Sequence, residues 1–98
     1  MKFNPLLKII RDCDRLERVS DIIHRDNKKL VLVNGTFDLI HPGHINLLNK
    51  SAEYGDVLIT LINSDYSVRV LKGENRPIYK EDDRCKFIAS IIYVDYVY

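Results

Sequence analysis

The first readings of this chain come from what it lacks. It has no excess of one charge: fifteen Lys and Arg stand against fourteen Asp and Glu, a net charge of +1. The basic face that a duplex-binding protein needs is therefore not expected, and neither is a nucleic-acid partner. There is no C-x-x-C pair. Cys13 and Cys85 lie far apart and read as reduced, semi-buried thiols of a cytoplasmic protein. No apolar run is long enough to cross a bilayer, and "MKFNPLLKIIRDCDRLERV" contains no signal-like apolar block. No membrane association is expected, and the cytoplasm is the expected location. Repeats, low-complexity tracts and linker-like segments are also missing, which leaves one small domain. At 98 residues its core is small, and a second copy often supplements so small a core, so a homodimer is expected.

What the chain does have is a regular alternation of elements. Asn4 before Pro5 reads as the start of an N-terminal helix, because Asn caps free N–H groups and Pro is tolerated in the first turn. Leu6, Ile9, Cys13, Leu16, Val19 or Ser20, and Ile23 recur at helical spacing along it, a stripe that needs its own sheet or a second subunit to cover it. "KKLVLVNG" reads as a buried strand of a parallel sheet. "GHINLLNKSAEYG" reads as a helix with Ile45, Leu48 and Ala52 on one face and Gly55 as its stop. "DVLITLINSD" is a second strand, "YSVRVLKGENRPIYKEDD" a polar connection, "DDRCKFIASIIY" a helix with acidic residues at its positive end, and "VDYVY" a third strand. The expected fold class is α/β: a Rossmann-like parallel βαβαβ sheet over residues 30–98, preceded by an N-terminal helical extension over 1–29. In such sheets ligands bind beyond the carboxyl ends of the strands, where "NGTFDLIHPGH" and "NSD" fall.

That edge carries the candidate chemistry. Gly35 permits close backbone approach, the Thr36 and Phe37 N–H groups can face an oxyanion, and the next helix begins at Pro42 to His44 with its positive end toward the same space. His41 and His44 are one helical turn apart, so both imidazoles can donate to phosphate oxygens there and offset charge building in a phosphoryl-type transfer. Two other readings compete. Asp38, His41 and His44 have a D-x-x-H-x-x-H spacing that could ligate a metal, but Pro-Gly between the histidines and the lack of a nearby fourth ligand disfavour zinc, and no metal site is expected. The histidines could otherwise be incidental loop residues; the order strand, glycine turn, histidines, helix start favours the phosphate site.

At these residues, Gly35-Thr36-Phe37-Asp38 and His41-Pro42-Gly43-His44, the chain resembles the cytidylyltransferase-like nucleotidyltransferase superfamily, of the nucleotidylyl transferase or HUP type, with its H-x-G-H motif. "NSD" at Asn63 to Asp65, "LKGENRPI" at Leu71 to Ile78, Arg84 and "VDYV" at Val94 to Val97 extend the resemblance over about residues 30–98. The combination looks most like the adenylyltransferase domain of bacterial ADP-heptose synthesis; glycerol-3-phosphate cytidylyltransferase shares H-x-G-H but less of the "LKG..RP" segment.

The resemblance implies attack of a sugar-phosphate oxygen on the α-phosphorus of a nucleoside triphosphate, with release of pyrophosphate and no covalent enzyme intermediate. ATP is favoured, with Mg²⁺ bridging the triphosphate oxygens. CTP with a polyol phosphate such as glycerol 3-phosphate is the alternative, and a nucleotide-binding or assembly module without turnover a third. It further implies His41, His44, Lys72 and Arg84 as catalytic residues, with Lys72 on a mobile loop and Arg84 reaching the phosphates from the opposite side. Gly35, Thr36, Phe37, Gly43, Asn63 and Asp65 are implied as nucleotide-binding, Asp65 as a candidate for metal or substrate-hydroxyl contacts. Lys72 and Arg76 could instead be solvated loop charges, Arg84 a surface ion pair, and Asp38 is expected to brace the turn. Members of the superfamily continue past the third strand to a Ser/Thr-rich segment, so the 30–98 domain is expected to be C-terminally short, with an uncovered end on its last strand.

Overall fold

The structure is a computed structural model and describes residues 3–98; the first two residues of the 1–29 extension lie outside the described residues. A 3₁₀ turn at Pro5–Lys8 precedes α1 (Cys13–Arg25), β1 (Leu30–Gly35), α2 (Pro42–Ala52), β2 (Val57–Ile62), α3 (Asp65–Lys72), α4 (Glu81–Ala89) and β3 (Tyr96–Val97). The strands form a parallel sheet in the order β1-β2-β3, with Leu30 opposite Val57 and Gly35 opposite Ile62 in one pair, and Ile59 opposite Tyr96 in the other. The expected α/β class with a parallel βαβαβ sheet is what the chain forms.

Apolar residues make these elements one body. Phe37, Leu48, Leu58, Ile88, Ala89, Val94 and Val97 are buried together, joined by Ile9 of the extension. Leu48 is the fully buried residue of α2, and Ile45 and Ala52 beside it are half-buried, so the helix face read from spacing is the face that packs. Replacing Leu48 by Ala would cost about 2–5 kcal/mol at such a site. The sheet ends at Gly35 and Ile62, which places the two connections that follow, residues 36–41 and 63–64, at its carboxyl edge.

Three expectations are corrected. The single N-terminal helix is broken in two. Asp12 caps α1 by accepting from the Arg15 N–H at 2.8 Å, and the residues before it run extended. There Ile9 bridges to Val97 in parallel and the Ile10 N–H donates to the Val97 carbonyl at 2.7 Å. The stripe therefore divides: Ile9 and Ile23 are buried, Leu16, Val19 and Ser20 are half-buried, and Leu6 and Cys13 are exposed. The same pairing covers the side of β3 that was expected to be open. The second correction is α3, which occupies the first half of the polar connection. Ser64 caps it by accepting from the Ser67 N–H at 3.1 Å, Val68 is its one buried residue, and Gly73 at φ 98° ends it. The third is Cys13, which is exposed, while Cys85 is half-buried; neither is in a disulfide. A smaller difference is that α2 ends at Ala52 with Glu53 as its cap, ahead of Gly55. None of the helices among the described residues is long and apolar enough to cross a membrane.

Candidate active site

At the mouth of α2 two imidazoles do the work usually left to Ser and Glu in a capping box. His41 is the N-cap, and its ring Nδ1 accepts from the Gly43 N–H at 3.1 Å; His44 Nδ1 in turn accepts from the His41 N–H at 3.2 Å. A neutral imidazole that accepts at Nδ1 carries its proton on Nε2, so each ring keeps one N–H to donate elsewhere. The rings stack with centroids 3.9 Å apart and planes 26° from parallel. Gly43 makes this possible: a Cβ there would lie 2.8 Å from His41 Cε1, inside any real contact distance. Burial, with the charges of His41 and Lys72 added, holds His44 below the usual histidine range, so its neutral form prevails at pH 7. The positive end of α2 faces the same space.

The turn after β1 forms the floor. Phe37 sits at φ 50°, a left-handed conformation that costs a non-glycine residue energy, and it persists because the ring is buried and meets His44 edge to face at 5.4 Å. A Cβ on Gly35 would lie 2.7 Å from Phe37 Cε2. The glycine is thus required first by the phenylalanine, whatever else approaches it. Thr36 is held at two atoms: its carbonyl accepts from Arg84 Nη1 at 2.8 Å and its hydroxyl from Asn63 Nδ2 at 3.2 Å.

Arg84 departs from both readings made of it. The side chain is fully buried, which excludes a surface ion pair. Its three nitrogens donate to the Tyr79 carbonyl at 2.9 Å, the Thr36 carbonyl at 2.8 Å and Asp65 Oδ1 at 2.7 Å. With every guanidinium nitrogen engaged inside the protein, Arg84 does not reach into the cleft as a phosphate contact; it ties three segments together beneath it. Asp65, expected to touch a metal or hydroxyl, is the anion of that tie.

Asp38 braces more than its own turn. Its carboxylate accepts from the Ile78 N–H at 2.8 Å and the Tyr79 N–H at 2.9 Å, forty residues along the chain. Burial by itself would raise this carboxyl, but the two amide donors and the charges of Arg76 and Arg84 outweigh it and hold the group below the usual carboxylate range. The Tyr79 backbone is therefore gripped from both sides, N–H by Asp38 and carbonyl by Arg84. Lys72 is the last residue of α3 rather than part of a mobile loop, and Gly73 turns the chain toward Arg76.

These elements enclose a cleft of about 500 Å³. Gly35, Thr36, Phe37, His41, His44 and Lys72 line it, together with Asp38, Arg76, Asn34, Leu39 and Leu47. Gly43, Asn63, Asp65 and Arg84 are not in that lining; Asn63 and Arg84 bond to Thr36, Asp65 to Arg84, and Gly43 lies against the His41 ring. Arg76 is the cation that motif reading left among solvated loop charges; its presence in the cleft follows from the Asp38 brace, which nothing local in "GENRP" announces. No group of three His, Cys, Asp or Glu among the described residues could hold a metal ion. The one carboxylate of the lining, Asp38, already accepts two amide protons, so the residues present do not fit a resident Mg²⁺.

Comparisons with known proteins show the family. The cytidylyltransferase-like family matches residues 32–98. A bifunctional protein HldE from Nitratiruptor sp. is 45% identical over 93 residues, which are 95% of this chain and 20% of that protein. A bifunctional protein HldE from Campylobacter jejuni is 46% identical over 81 residues, 83% of this chain and 18% of that protein. Among solved structures, a lipopolysaccharide core biosynthesis protein from Thermoplasma volcanium GSS1 is similar with a TM-score of 0.67 at 33% identity, covering 71% of this chain and 56% of that one. The chain thus spans about a fifth of the length of the curated relatives it matches.

Proposed function

The chain belongs to the cytidylyltransferase-like family, and from that premise we propose that it joins a nucleoside triphosphate to a sugar phosphate with release of pyrophosphate. ATP is the proposed nucleotide, in preference to CTP, and a heptose 1-phosphate the proposed acceptor. The observation that carries this reading is the stacked pair His41 and His44 at the positive end of α2, in one cleft with Lys72. "LKGENRPI" supports ATP, and the similarity to a lipopolysaccharide core biosynthesis protein supports a saccharide acceptor.

In the proposed reaction a phosphate oxygen of the acceptor attacks the α-phosphorus of the Mg²⁺-bound triphosphate. The bond from that phosphorus to the bridging oxygen breaks, and pyrophosphate leaves with the electron pair. Two oxyanions meet at one phosphorus, so the protein's task is positioning and charge stabilisation rather than covalent chemistry. The Nε2–H of each histidine donates to phosphate oxygens. Both protons stay on their rings, since each Nδ1 is held as an acceptor by a backbone N–H. The Lys72 ammonium balances the charge of the departing pyrophosphate. Arg84, Asp65 and Asn63 hold the Thr36 turn still while charge builds, which is the preorganisation such a step requires.

Pyrophosphate release, measured across ATP, CTP, GTP and UTP with heptose 1-phosphate, glucose 1-phosphate and glycerol 3-phosphate, tests the reading. Release with ATP and a sugar 1-phosphate is expected. Retained ATP binding without release from any pair would overturn it.

A further inference from the structure

A reaction between two phosphorylated molecules needs two anion subsites, and in-line attack requires them apart, because the incoming phosphate must approach opposite the leaving pyrophosphate. The cations that line the one cleft differ in their protein neighbours. His41, His44 and Lys72 neighbour one another: the rings stack at 3.9 Å, and the Lys72 charge is felt at His44. Arg76 neighbours Asp38 instead. Its guanidinium lies 3.6 Å from Asp38 Oδ2, and its charge is among those that depress the Asp38 carboxyl.

The pairing of Arg76 with Asp38 is loose for a chemical reason. The carboxylate already accepts two short amide bonds, at 2.8 and 2.9 Å, which leaves the arginine beyond ordinary hydrogen-bond distance. The side chain is 44% exposed and lines the cleft, so its planar fork of donors is open to a ligand. Its backbone is better fixed: the Tyr79 N–H and carbonyl, three residues on, are both bonded, to Asp38 and Arg84. A cation presented at a fixed place with its donors uncommitted is suited to take a planar face of a phosphate dianion by two parallel bonds.

Resting on the nucleotidyl-transfer reading, we infer that Arg76 binds the phosphate monoester of the acceptor, in a subsite separate from the triphosphate wall of His41, His44 and Lys72. Asp38 is its positioning residue. It neutralises Arg76 while the subsite is empty, and it keeps the loop docked when the guanidinium turns to the ligand.

Calorimetric binding to the full chain tests this, with α,β-methylene-ATP as the triphosphate probe and heptose 1-phosphate added in its presence. Arg76→Ala is expected to weaken heptose 1-phosphate binding about tenfold or more while leaving the analogue within about twofold. Arg76→Lys should recover part of the loss, since it restores charge without the fork. Thermal unfolding of each variant close to wild type confirms that the fold is kept; should Arg76→Ala not fold, Arg76→Lys alone must still show the selective loss. Equal weakening of both probes, weakening of the analogue alone, or no effect on the sugar phosphate overturns the inference, as does a wild-type chain that fails to bind the sugar phosphate. A wild type that binds both probes yet releases no pyrophosphate from ATP overturns the proposed turnover and leaves the subsite standing.

Discussion

His41 and His44 at the start of α2, and Arg84 bonded to the Thr36 carbonyl, are all basic residues that motif reading placed on the substrate. The structure treats them oppositely. Each histidine uses one nitrogen to hold the helix start and keeps the other to donate. Arg84 is fully buried and has no donor nitrogen uncommitted. A ring with two chemically distinct nitrogens can be structural and functional at once, whereas a buried guanidinium bonded at all three nitrogens acts as a brace in this structure. Basic residues of the two kinds are therefore expected to behave oppositely on mutation.

The largest effect should come from the brace. Arg84→Ala leaves Asp65 without its cation and the Thr36 and Tyr79 carbonyls without their donor, and is expected to lower the unfolding free energy by about 3 kcal/mol or more in urea titrations. Unchanged stability with lost turnover would place Arg84 on the substrate after all. Next are the histidines. His41→Asn retains a good helix cap but removes the Nε2–H, so turnover should fall about 10²-fold while stability moves by less than about 0.5 kcal/mol. A large stability loss with near-normal residual activity would make the histidine purely structural and erase the contrast.

Gly43→Ala sharpens the comparison from the side of geometry. Alanine favours the helix by up to about 1 kcal/mol, yet its Cβ would meet His41 Cε1 at 2.8 Å and push the ring aside. The lost His41 cap offsets that gain, so stability is expected within about 1 kcal/mol of wild type with turnover reduced roughly tenfold; unimpaired turnover would show that the ring position is unimportant. The smallest effect is a pH response. Because the folded-state pKa of His44 is depressed, chiefly by burial, its contribution to stability is complete above the unfolded value of about 6.5 and is lost as pH falls through the lower folded value. Protonation at Nδ1 would also break its bond from the His41 N–H. In an NMR titration the His44 ring resonance should have its midpoint below that of a free histidine. A midpoint at or above the free value contradicts the burial argument.

Much of the fold could be read from local pattern. "LVLVNG" and "VLITLI" are β-branched runs of strand length, and each is the strand it was read as. The histidines were legible as a helix mouth because Pro42 and Gly43 mark the start of α2. α3 was missed although its signals were present, with Ser64 as cap, Asp65 in the first turn and Gly73 after Lys72. A helix with a single buried residue, Val68, has too weak an apolar period to stand out from a polar loop. The break in the N-terminal helix was hidden for a different reason. Leu6, Ile9 and Cys13 keep helical spacing, but the pairing of Ile9 and Ile10 with Val97 competes with it, and Val97 lies at the other end of the chain.

By itself the sequence determined the three strands, α2, α4 and the imidazole pair at a helix start, because each depends on residues within a few positions of one another, and the alternation of strand and helix implied the parallel pairing. Only the tertiary structure decided which cations face the cleft. The partners of Arg84 at Thr36, Asp65 and Tyr79, and those of Asp38 at Ile78 and Tyr79, come from segments far apart in the chain. A buried guanidinium must satisfy its donors wherever the packed chain supplies acceptors. That requirement withdraws Arg84 from the cleft and, through the loop it helps anchor, brings Arg76 to it.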